Sequence, residues 1–258
     1  MRLPSFVSVS GPRDSVRRLP EMNRNRKIGV VKELYRYPVK SMAGEPLASV
    51  EMGLHGFEGD RRYAFMITGS KSNVPWLTAS KLPRLISYKP RMTGSTPGVV
   101  TPSGEHLELN SDALRRELST AFGSDIQLVH LKNGIFDEGE ISIISTSTIN
   151  EIERRSGHKL DIRRFRPNIV VELTEDIPFQ EDRWVGKIVA VGEENNSIAV
   201  TMRDLRCVMV NFDPDTVASN HEVLKTVVRL NETCAGVYGC ALRSGTISSG
   251  EPVYISEE

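Results

Sequence analysis

The chain has 258 residues, enough for one large or two modest cores, and its 39% hydrophobic and 26% charged content is that of an ordinary globular protein. Its 33 basic and 33 acidic side chains cancel, which leaves no overall field to favour nucleic acid or an anionic membrane as partner. No run approaches the roughly 18 apolar residues that would cross a membrane, so no transmembrane segment is expected.

Residues 1–27 carry seven basic groups against two acidic ones, so the rest of the chain holds five more acidic than basic groups. The leader lacks a secretory h-region. It reads as a disordered extension, as an arginine- and serine-rich organelle targeting segment, or as the product of an upstream start, with Met22 just ahead of the first strand. Order begins at Ile28, where a β-branched and aromatic run to Tyr37 stops at Pro38. Further strands are expected at Tyr63–Thr68, Ile86–Met92, Ile126–Leu131, Ile141–Ile144, Ile169–Glu172, Lys187–Val191, Ile198–Met202, Cys207–Asn211, Val237–Leu242 and Val253–Ile255. Ser111 or Asp112 caps a helix with Leu114, Leu118 and Phe122 on one face and Gly123 at its end. Thr148 and Glu151 stand in capping-box spacing at the start of a second helix closed by Gly157, and a third spans Glu222–Arg229. The expectation is a mainly β (α+β) chain with few helices, with a module over 28–132 and another over 137–255.

The three cysteines, Cys207, Cys234 and Cys240, form no CxxC pair; the odd count argues against a disulfide framework and for a reducing, cytoplasmic setting unless residues 1–27 direct the chain to an organelle. The five histidines share no ligand spacing. Asn195 and Asn231 head glycosylation-like triplets without the secretory signal that would give them meaning. Trp76 and Trp184 read as core or interface anchors.

Four local motifs carry the chemistry. Tyr37-Pro38-Val39-Lys40-Ser41 sets a cation and a hydroxyl after a strand end. Gly59-Asp60-Arg61-Arg62-Tyr63 places arginines at the start of another strand. Arg164-Phe165-Arg166-Pro167-Asn168 puts Arg166 before a proline, which favours an extended backbone. Arg206-Cys207 joins a guanidinium to a thiol and leads into Asp213-Pro214-Asp215-Thr216, and a neighbouring cation favours the reactive thiolate. Lys40, Arg61, Arg166 and Arg206 at strand ends suit an anionic, phosphate-bearing ligand.

These motifs, with Tyr238 and Gly245-Thr246-Ile247…Gly250-Glu251-Pro252-Val253, resemble in type and order those of the MOSC family, named for the C-terminal domain of molybdenum cofactor sulfurase. The chain resembles in particular its two-domain type, which includes the mitochondrial amidoxime-reducing component, over nearly all of residues 28–255. The resemblance implies an N-terminal β-barrel-like domain and a β-barrel MOSC domain with molybdenum cofactor (Mo-molybdopterin) between them. It further implies Cys207 as metal ligand and catalytic residue, and Lys40, Ser41, Arg61, Arg166, Asn168, Arg206 and Tyr238 as cofactor-binding residues. Thiolate is a soft ligand suited to such a metal. The implied activity is a molybdenum-dependent oxidoreductase acting on N-hydroxylated or other N-oxygenated small molecules. No ferredoxin-type cysteine run or dinucleotide fingerprint is present, so a separate electron-donor protein is expected as partner. The alternative is a non-catalytic carrier of molybdenum cofactor or of sulfur, as a persulfide on Cys207. Leu205, the segment Asp137-Glu138-Gly139-Glu140 and Val217 depart from the family pattern, and Asp213 and Asp215 are the candidate proton donors by closeness in sequence.

Overall fold

The computed structural model describes residues 25–92, 97–193 and 196–257, so the extension read over 1–27 lies almost entirely outside the described residues. In chain order the first strands are β1 (Asn25–Arg36), β2 (Glu45–Leu47), β3 (Ser49–Gly53), β4 (Gly56–Phe57) and β5 (Tyr63–Ile67). Then come β6 (Lys89–Arg91), β7 (Gly98–Val100), β8 (His106–Glu108), helix α1 (Asp112–Phe122) and β9 (Ile126–His130). The second half holds β10 (Ile141–Ser145), α2 (Thr146–Ser156), β11 (Ile169–Leu173), β12 (Ile188–Val191) and β13 (Asn196–Leu205). It ends with α3 (His221–Asn231), β14 (Cys234–Arg243), β15 (Gly245–Ser248) and β16 (Pro252–Ser256). The mainly β fold with a few helices is therefore what forms.

Seven strands close into a barrel in the order β1-β11-β10-β14-β13-β12-β16, with β16 pairing back to β1. The pairs are antiparallel except β10 with β11, whose parallel register needs a crossover, and α2 lies in that crossover. Strand β1 belongs to the N-terminal sequence yet closes a barrel made of strands after residue 140. Its two edges serve different neighbours, Asn25–Val30 pairing with β16 and Gly29–Leu34 with β11, with register shifts at Lys27/Gly29 and Val31/Glu33. Val31, Ile141, Ile143, Val171, Val189, Val200, Val237 and Val253 point into the barrel and fill it.

A second core gathers Phe65 and Ile126 from the β5–β9 pair, Val99 from the β6-β7-β8 sheet, Leu114 and Leu118 from α1, and Val39, Leu77 and Leu85 from connecting segments. A third packs α2 and α3 through Ile149, Ile152, Val223 and Val227. Helix α1 is capped by Ser111, whose side chain accepts from the Leu114 amide, and ends at Gly123 in the left-handed conformation that glycine takes freely. Helix α2 starts earlier than its capping-box spacing implies: Ser145, not Thr148, is the cap, and Thr148 supplies the amide that Ser145 accepts.

Two expected strands are corrected. Ile86–Met92 splits into a 3₁₀ turn, Pro83–Ser87, and the short β6, because Pro83 at the turn's start presets a helical φ. Cys207–Asn211 is no strand; Val208–Asn211 forms a 3₁₀ turn with Cys207 at its head. Its apolar residues divide between two cores, Val210 into the helical cluster and Met209 with Phe212 against the second core, so they share no single sheet face.

Candidate active site

The turn after β13 places the thiol. Asp204 and Arg206 alternate onto the buried side of the strand end, while Leu205 and Cys207 face outward. Arg206 locks this turn to the barrel. Its Nε donates to Ala235 O at 2.7 Å and NH1 to Phe165 O at 2.6 Å, and NH2 lies 2.7 Å from Asp204 Oδ2. Cys207 is left exposed and lines a cleft of about 660 Å³ together with Lys40, Arg61, Arg166, Arg206 and Tyr238.

Two of the cleft's cations, and Ser41 next to Lys40 in sequence, sit on unusual backbone. Ser41, Arg61 and Arg166 all have positive φ, at 65°, 48° and 51°, a conformation costing an L-residue roughly 1–2 kcal/mol. Arg166 therefore corrects the extended expectation: it closes a 3₁₀ turn, Ile162–Phe165, in the left-handed region. Its NH1 donates to Met42 O at 2.5 Å, and its guanidinium stacks 4.3 Å above the Tyr37 ring. Arg61 lies over the same ring at 5.1 Å and is 2% exposed. Its NH1 donates to Asp60 and Asn168, its NH2 to Arg166 O, and its Nε sits 2.6 Å from Asp137 Oδ2.

Charges in the cleft perturb one another. Burial lowers the Lys40 ammonium, and Arg166 and Arg61 push it the same way against Asp137 and Cys207. Burial likewise lowers Arg166, with Arg61 adding to the effect. Asp137 is held below the usual carboxylate range: burial opposes this, but Arg61 and Lys40 outweigh it. Asp137 also accepts from the Tyr238 hydroxyl at 3.3 Å. The segment carrying it passes tight against that ring, since a Cβ at Gly139 would lie 2.5 Å from Tyr238.

Asp204 behaves oppositely. At 1% exposure its carboxyl is pushed up to about 6 by burial, although Arg206 and the Ser142 hydroxyl at 2.8 Å pull it down. A raised folded pKa makes its share of stability full below about pH 4 and lost as pH rises through about 6. The loss is on the order of 2–3 kcal/mol. Asp204→Asn should thus be stabilised relative to the parent as pH climbs from 4 to 7. Urea midpoints of both proteins across that range check it, and parallel profiles would contradict it.

Part of the cleft's lining is apolar. It includes Val74 and Trp76 from the segment after β5, Val129 from β9, Leu131 just past its end, and Phe136. Trp76 bridges Met66 of β5 and meets Phe136 edge-on at 4.8 Å.

Six of the eight residues singled out in the sequence line this cleft: Cys207, Lys40, Arg61, Arg166, Arg206 and Tyr238. Ser41 and Asn168 do not. Asn168 is fully buried and holds Arg61 in place, while its amide nitrogen donates to Tyr35 O. Asp213 and Asp215 are also outside it; they pair with Arg164 and Arg163 and brace their own turn. Within that turn Val217 has φ 62°, which explains why glycine would sit there without strain. Sequence reasoning missed Asp204 and the Trp76–Phe136 pair as cleft residues. The alternation of Asp204 with Arg206 at a strand end was the available signal for the first.

Among the described residues no helix is long and apolar enough to cross a membrane. The family model described as MOSC domain matches residues 127–254, and that described as MOSC N-terminal beta barrel domain matches residues 28–142. The chain is 24% identical to the mitochondrial amidoxime reducing component 2 of Bos taurus over 90% of its length and 84% of that protein. It is 24% identical to the mitochondrial amidoxime-reducing component 1 of Homo sapiens over 89% and 84%. The crystal structure of the YUAD protein from Bacillus subtilis shares the fold, with a TM-score of 0.51 at 12% identity over 91% of this chain and 100% of that one. With the two family models together running from residue 28 to residue 254, and a closed barrel beneath the matched MOSC domain, the chain belongs to the MOSC family.

Proposed function

We propose that this protein is a molybdenum-cofactor-binding oxidoreductase that reduces N-oxygenated small molecules with electrons from a separate protein. The observation that carries the reading is an exposed thiol, Cys207, in a cleft where cations crowd one another. Lys40 and Arg166 each spend a donor on a carbonyl, Phe136 O and Met42 O, and both are depressed by burial and like charge. An anion carrying phosphate would relieve that repulsion, and a soft thiolate beside it suits the metal of the cofactor. The residues present therefore fit the group. The relatives' names, amidoxime reducing components, point to the substrate class.

In this reading Cys207 ligates the metal, and Lys40, Arg166 and Tyr238 contact the cofactor. Arg61 and Arg206 hold the cleft's shape through their internal bonds, with Ser41 and Asn168 as supports. The cofactor, when bound, supplies two-electron oxygen transfer. The net change breaks an N–O bond, consumes two electrons and two protons, and releases water. The modules at 28–132 and 137–255 would meet at the cleft, and residues 1–27 would direct the chain to an organelle, as the relatives' mitochondrial names suggest.

Elemental analysis of protein purified under reducing conditions should find molybdenum near one atom per chain. Turnover of an amidoxime with an artificial electron donor should follow the metal content. Metal-free protein, or a +32 mass adduct on Cys207 with no turnover, would overturn the reading in favour of a sulfur carrier.

A further inference from the structure

The cleft's lining is part charged and part apolar, and the phosphate of an anionic cofactor accounts only for the charged part. Of the charged groups, Lys40 follows β1, Arg61 precedes β5, Arg166 precedes β11 and Arg206 follows β13. A group of apolar residues comes from the β5–β9 pair and the segments beside it, including Trp76, which bridges Met66 of β5. Val129 on β9 and Leu131 just past its end lie two residues apart, and both line the cleft. Trp76 and Phe136 add an aromatic pair. At the rim, Val74 is 52% exposed and Leu205 59% exposed, among the few large apolar side chains open to water in the described residues. Exposed apolar surface costs solvation free energy, so its concentration along one concave surface marks a binding function. A cleft of about 660 Å³ is of the size that takes small molecules rather than a protein segment.

From this division we infer that the apolar wall seats the body of the substrate, so the protein prefers N-oxygenated groups carried on a planar aromatic ring. The inference rests on the reductase reading above and adds the specificity determinant to it. A ring lying along Val129 and Leu131, with its edge or face to Trp76, buries apolar area on both partners and makes an aromatic contact. Its polar N–O group then points across the cleft toward Cys207. Small aliphatic substrates would leave the wall wet.

Intrinsic fluorescence tests this without turnover. The chain holds two tryptophans, and Trp184 is buried in the barrel core at 3% exposure, so a ligand in the cleft reports through Trp76. With no electron donor present, benzamidoxime should change the emission saturably and bind about tenfold more tightly than acetamidoxime. The signal should vanish in Trp76→Phe. Val74→Glu and Leu205→Glu, at exposed positions that leave the thermal midpoint unchanged, should weaken benzamidoxime at least about fivefold and acetamidoxime little. Equal affinities for the two probes, or an emission change that survives Trp76→Phe, overturns the inference. The two readings fail separately. A molybdenum-loaded enzyme that reduces both amidoximes with the same KM sinks the wall alone. Metal-free protein that still shows the Trp76 response sinks the reductase reading and leaves the wall as an apolar site.

Discussion

Cys207→Ala should fold as the parent does, retain less than about a tenth of its molybdenum and show no amidoxime reduction. The separation of these effects follows from where the thiol sits. Cys207 is exposed and heads a turn without a side-chain capping bond, so its sulfur contributes nothing to the packing of either core. Removing such a group changes stability by about 0.5 kcal/mol or less. The turn itself is held by Arg206, whose bonds to Ala235 O and Phe165 O do not pass through the thiol. Loss of metal in a variant with an unchanged urea midpoint would then be loss of a ligand rather than of structure. Cys234→Ala and Cys240→Ala are the controls and should keep the metal, since neither cysteine lines the cleft. Full metal content in Cys207→Ala would remove the thiol from the proposed ligand set.

The strand and helix inventory was legible where the chain obeys one period and one cap. Helix α1 was readable from Ser111 and Gly123 because both act locally. The turn at Val208–Asn211 was not, because its apolar residues answer to two cores and mimic a strand's composition without its alternation. Barrel closure by β1 was hidden for another reason: pairing of Leu34 with Ile169 joins positions far apart in sequence, and no local signal encodes it. For the site, residue types and motif order singled out six side chains that the fold does bring to one cleft. What they did not reveal is which cations are already spoken for. The partners of Arg206, Lys40 and Arg166 are largely main-chain carbonyls, at Ala235, Phe165, Phe136 and Met42, and a carbonyl has no signature in the sequence. The left-handed backbone at Arg61 and Arg166 was invisible for the same reason, being imposed by tertiary contacts on residues that would not choose it.

Arg61→Met is expected to cost about 3–5 kcal/mol, the largest stability loss of any single cleft substitution, because it strands carboxylates that the guanidinium now neutralises. Asp60 is fully buried, and its two oxygens are committed to the Tyr37 amide and to Arg61 NH1. Asp137 keeps Arg61 Nε at 2.6 Å, a contact ionic in character because the N–H is not well aimed at the carboxylate. The same guanidinium ties Asn168 and the Arg166 carbonyl to the segment ahead of β5, so it joins the barrel to the second core. Lysine cannot substitute, since one ammonium cannot span four acceptors spread around a planar fork. The charge origin of the loss can be isolated. Arg61→Met combined with Asp60→Asn should recover part of the stability, because the buried carboxylate is gone. Asp137 supplies a pH signature with the opposite sign to that of Asp204. Its depressed pKa gives stability that is present above the ordinary carboxylate range and lost as pH falls through its lowered value, and this acid-limb slope should shrink in Arg61→Met. Urea midpoints at neutral pH for the single and double variants, with acid titrations of the parent and Arg61→Met, measure all three effects. A loss below about 1 kcal/mol in Arg61→Met would mean that water, rather than this guanidinium, stabilises the two carboxylates.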